Sequence, residues 1–102
     1  MNKETFLSFG VKPHKVQIEN LGKEIYIREL SYTSLMALRQ CKDMIEQSFV
    51  AVIGSVCDES GNLLFTENDA PLIADSMSWY AIQEIASKVA EVTTTNDNDL
   101  VK

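Results

Sequence analysis

The sequence predicts an α+β fold, a small antiparallel sheet packed by about three helices. Three observations predict it. Val16 and Ile18 alternate with Lys15, Gln17 and Glu19, the two-residue period of a half-buried strand. From Ser31 onward the apolar spacing lengthens to three and four, the period of an amphipathic helix. Turn chemistry at Asn20-Leu21-Gly22 and at Asp58-Glu59-Ser60-Gly61 falls where the chain has to reverse.

Taken in order, residues 1–13 read as a lead-in. Phe6, Leu7 and Phe9 suit a short helical turn before Gly10 and Pro13 end it. A hairpin follows, His14–Glu19 against Lys23–Glu29, with Ile25-Tyr26-Ile27 supplying β-favouring residues and Gly22 free to take positive φ. Ser31 can accept the orphan N–H groups of a helix start. Leu35, Leu38, Cys41, Ile45 and Phe49 then mark one helix across Tyr32–Gln47, with Met36 and Met44 widening its apolar face. Residues 50–57 leave two readings open. Val50, Val52, Ile53 and Val56 favour strand, while Ala51 and the phasing from Phe49 favour helix to about Ile53, ending near Gly54. Val56-Cys57 and Leu63-Leu64-Phe65 flank the Asp58–Gly61 turn as a short second hairpin. Thr66 and Asp69 form a weak capping box for a short helix carrying Leu72 and Ile73. Ser76 or Ser78 caps a longer helix with the stripe Trp79, Ile82, Ile85, Ala86 and Val89, and Glu84 and Glu91 on its solvated face. From Thr93 the apolar periodicity stops. The domain expected is therefore 14–92, with 93–102 a disordered polar and acidic tail.

With 102 residues and an apolar fraction of 45%, one domain can bury a core without staples. Nine basic against fifteen acidic side chains leave a net charge of -6, which argues against nucleic acid and against an anionic membrane surface. The imbalance lies in the second half: residues 1–50 carry seven basic and six acidic groups, residues 51–102 two basic and nine acidic. Such a surface serves solubility or steers a basic partner. The longest apolar run, Phe49-Val50-Ala51-Val52-Ile53, is five residues, far below the ~20 of a membrane span. No apolar h-region follows the first residues, so no signal peptide is expected. Cys41 and Cys57 stand 16 apart without a CxxC, so a cytosolic setting with both thiols reduced is expected.

No residue set points to catalysis. His14 is the one histidine and has no cysteine nearby, where a metal site or a Ser/His pair needs several partners. Asp58–Asp69 has the length of a calcium loop, yet Leu63 occupies the sixth position, which requires glycine. The four glycines are scattered, so no phosphate-cradling loop forms. No cofactor and no metal is expected, and the chain reads as a non-catalytic protein-binding module. For partner binding the candidates are Leu72, Met77, Trp79 and Tyr80: aromatics are enriched at binding hot spots, and adjacent helical residues point about 100° apart, so Trp79 reads as core and Tyr80 as surface.

Two segments resemble a known family. They are Gly22-Lys23-Glu24-Ile25-Tyr26-Ile27-Arg28-Glu29-Leu30-Ser31 and Val56-Cys57-Asp58-Glu59-Ser60-Gly61-Asn62-Leu63-Leu64-Phe65-Thr66-Glu67-Asn68-Asp69. Their order and spacing, over residues 14–92, resemble tail assembly chaperones of long-tailed (siphovirus-type) bacteriophages. The resemblance implies binding to the tape measure protein, which is kept soluble during tail assembly. It also implies self-association, action in the host cell cytoplasm and absence from the mature virion. A frameshifted longer form would recruit the tail tube protein. The family brings no catalytic residues, and Arg28-Glu29-Leu30 and Asp58-Glu59-x-Gly61 read as structural. The polar Thr/Asn/Asp end departs from the pattern. Readings from other classes are a small structural tail or head-completion protein of the virion, and an intracellular adaptor binding a basic protein.

Overall fold

The computed structural model describes the backbone of residues 1–8 and 10–101 and the side chains of residues 1–8 and 10–93; the expected packing of Phe9 lies outside the described residues. The order is α1 (Lys3–Leu7), β1 (Pro13–Ile18), β2 (Lys23–Arg28), α2 (Tyr32–Arg39), α3 (Met44–Ile53), β3 (Val56–Cys57), a 3-10 turn (Glu67–Asp69), α4 (Ala70–Ser76) and α5 (Trp79–Val101). The α+β class is as predicted: the strands form one antiparallel sheet in the order β1-β2-β3, and helices cover it.

The hairpin register runs from Pro13 opposite Arg28 to Ile18 opposite Lys23. That pairing puts Val16, Ile18, Ile25 and Ile27 on one face, because side chains alternate along a strand and align across a pair. Ile18 and Ile27 are completely buried there. On the other face the Lys15 ammonium lies 3.7 Å from Glu24. The hairpin turns at Gly22, whose φ of 65° is left-handed; nothing crowds a side chain there, so the backbone alone requires glycine.

The predicted helix over Tyr32–Gln47 is two helices. α2 ends at Arg39, and α3 starts at Met44. Asp43 makes the break: its carboxylate accepts from Glu46 N at 2.9 Å, and Glu46 in turn accepts from Lys42 N at 3.0 Å. Asp43-Met44-Ile45-Glu46 is thus a helix-start signature inside an apolar stripe whose spacing alone reads as continuous. The open segment 50–57 resolves into both readings. α3 runs to Ile53, and Val56-Cys57 pairs with Ile27 and Tyr26 as β3. Gly54 between them has φ of -83°, so it is not a left-handed cap. It is needed for space, since a Cβ there would stand 2.8 Å from Ser34 Oγ where α2 crosses α3.

The second hairpin is rudimentary, with Cys57 bridging to Leu63 and Leu64 N donating to Val56 O at 3.1 Å. Asp58 Oδ1 organises its turn by accepting from Ser60 N at 2.8 Å and Asn62 N at 3.0 Å. Next, Thr66 N donates to Asp69 Oδ2 at 2.9 Å, the expected entry to the 3-10 turn and α4. Ser78 rather than Ser76 caps α5, accepting from Ala81 N at 3.2 Å. The α5 stripe Ile82, Ile85 and Val89 is buried against Ile18, Ile27, Val52, Val56 and Ile73.

The far face of this helix makes one long-range tie. Glu84 lies on the solvated face as expected, and its carboxylate also accepts from Glu19 N at 2.8 Å, Asn20 N at 3.0 Å and Asn20 Nδ2 at 2.7 Å, tying α5 to the hairpin turn. The helical backbone of α5 runs past Thr93 to Val101.

Candidate functional site

Chemistry is dispersed over this fold. His14 Nε2 lies 3.1 Å from Glu29 Oε1, and no group of three or more metal-binding side chains occurs among the described residues. Asp58 spends its carboxylate on its own turn, and those N–H donors, Asn62 N foremost, hold its pKa below the ordinary carboxylate range. Both cysteines are free. Burial pushes the Cys57 thiol up, against an opposing pull from Arg28, and burial followed by the charges of Glu46 and Asp43 pushes Cys41 up, so neither is poised as a thiolate nucleophile.

Apolar surface gathers into grooves at the α2–α3 corner. The first turn of α3 stands between two grooves. The narrower, of about 320 Å³, lies between α2, α3 and α5 and is lined by Leu30, Leu35, Leu38, Met44, Ala86 and Ala90, with Gln47 and Thr93 as polar neighbours. The wider, of about 490 Å³, lies between α2, α3 and the start of α4; Ala37, Ile45, Phe49 and Ile53 line it, and Glu46 and Glu67 are its ionised groups. Met44 is 68% and Ile45 58% exposed, and α2 buries no residue. A contiguous apolar surface of this kind marks protein contact more often than chemistry.

Of the residues singled out from sequence, Leu72 and Tyr80 are exposed, while Met77 and Trp79 are half-buried against the core. The four do not meet in either groove. Met77 instead lines an apolar cavity of about 190 Å³ with Leu21, Phe65 and Ile73. The grooves escape the sequence because Met44 and Ile45 share the apolar face of what reads as one long helix, and spacing does not say what covers that face. The Asp43-x-x-Glu46 signature was the available clue, since a restarted helix need not keep the stripe covered.

Fold and surface together define a small α+β domain with apolar grooves and no group of three or more metal-binding side chains among the described residues. No family model and no curated protein matches the sequence. Among solved structures, the chain is similar to the bacteriophage HK97 tail assembly chaperone, with a TM-score of 0.59 and 12% identity over 88% of this chain and 97% of that one. At that identity the likeness is one of fold.

Proposed function

We propose that this protein is a tail assembly chaperone of a long-tailed bacteriophage that binds the tape measure protein and keeps it soluble during tail assembly. The observation that carries the reading is the fold likeness to a tail assembly chaperone, which spans 88% of this chain and 97% of that one. The two sequence segments that resemble the family support it. They fall at the β2–α2 junction and at the β3 turn leading into α4, the two places where strand hands over to helix.

The surface suits the task. A holdase needs exposed apolar side chains on a soluble body, and Met44 beside two grooves supplies an adaptable one while the net charge of -6 keeps the free protein in solution. Each site is small, so the proposal includes self-association, which lets weak sites act together along a long client. Action in the host cytoplasm, absence from the finished particle and a longer frameshifted form that engages the tail tube protein complete the reading. Co-expression with a tape measure protein tests it: the client should become soluble and co-purify. A client equally insoluble with and without this chain overturns it, and finding the chain in stoichiometric amounts in purified particles would make it a virion component instead.

A further inference from the structure

α1 and the wider groove are complementary, and one chain uses neither. α1 is formed locally. Asn2 caps it by accepting from Thr5 N at 2.8 Å, and the helix buries none of its residues. Phe6 and Leu7 are 67% and 63% exposed. At 100° per residue Lys3 falls between them on one face, with Glu4 at the margin and Thr5 opposite. That face carries two large apolar side chains and one ammonium. The wider groove offers the converse, an apolar floor of Ala37, Ile45, Phe49 and Ile53 whose charged lining groups, among the described residues, are the carboxylates of Glu46 and Glu67. One Glu46 oxygen caps α3 at Lys42 N, and the other has no hydrogen-bond partner among the described residues.

We infer that α1 is an arm that docks into this groove on a second copy of the chain, with Phe6 and Leu7 on the floor and Lys3 toward Glu46 and Glu67. Within one chain the arm's apolar face points to solvent and the groove stays open, so both halves of the match are left over. Residues 8–12, between the arm and β1, reach at most about 17 Å when extended, enough to cross to an adjoining copy while keeping the arm tethered. Reciprocal docking closes a dimer, and one-way docking builds an open array. The inference deepens the self-association in the proposed function and rests on that part of it alone.

Sedimentation velocity on the full chain over a wide concentration range tests it. The unaltered chain should associate with rising concentration. Phe6→Asp with Leu7→Asp removes the arm, and Ile45→Asp removes the groove; each should weaken association about tenfold or more, the effect of losing one buried large apolar side chain. All three positions are exposed, so the fold is retained, which circular dichroism checks. An equimolar mixture of the two variants should associate again, because one supplies the groove and the other the arm. Lys3→Glu should weaken association, and Glu67→Lys added to it should restore it. An unaltered chain that stays monomeric, an arm variant that associates as well as the parent, or a mixture that does not recover overturns the inference. No client enters this experiment, so its failure leaves the chaperone reading standing, and failure of the co-expression test leaves the arm standing.

Discussion

On one side of the molecule, where the sheet meets α5, Ile18, Ile27, Ile82 and Val89 are each at most 2% exposed. At the α2–α3 corner, α2 buries nothing, and Tyr32, Met44 and Ile45 are 79%, 68% and 58% exposed. Both regions come from apolar stripes of similar spacing. α3 belongs to both: its last turns bury Ala51 and Val52, while its first turn projects Met44 and Ile45 outward. Periodicity therefore locates an apolar face without saying whether a neighbour covers it. The covered half holds the fold together, and the uncovered half is where a partner has something to gain.

The contrast can be broken most sharply in the core. Ile82→Ala should cost about 2–5 kcal/mol in urea unfolding, the range for truncating a buried isoleucine. Met44→Ala should change stability by less than about 0.5 kcal/mol, as a surface substitution does. Equal costs at the two positions would erase the distinction. Gly54→Ala comes next, at about 1–3 kcal/mol, because the new Cβ meets Ser34 at 2.8 Å; adding Ser34→Gly should recover part of the loss, and additivity of the two would rule the clash out. Gly22→Ala should cost about 1 kcal/mol from the left-handed backbone alone, with no neighbour whose removal rescues it.

The smallest effect concerns the tie between α5 and the hairpin. Backbone N–H donation from Asn20 and Glu19 holds the Glu84 pKa below the ordinary glutamate range. A lowered folded pKa contributes stability above the unfolded value and loses it as pH falls through the folded one. Glu84→Gln should therefore unfold more easily than the parent at neutral pH and converge with it in acid, with a flatter dependence between. A constant difference across that range would mean that the carboxylate charge is not the source.

The hairpin was legible almost to the residue, because alternation at Val16 and Ile18, the Gly22 turn and Ile25-Tyr26-Ile27 all favour the same pairing. The α5 stripe was equally clear, since Ile82, Ile85 and Val89 repeat at three and four. The break at Gln40–Asp43 was harder to read, because a short capping signal competes there with a longer apolar rhythm. The partners of Glu84 were not legible, because Glu19 and Asn20 are more than sixty residues away in the chain. The grooves were not legible, since a groove belongs to three elements at once.

By itself the sequence determined the N-terminal hairpin, the α5 stripe and the α+β class, because caps, turns and periodicity act between residues a few positions apart. Only the tertiary structure decided which apolar faces are covered, what Glu84 holds and why residue 54 is glycine. Each of these depends on which distant segment arrives at a surface, and that is settled by packing the whole chain at once.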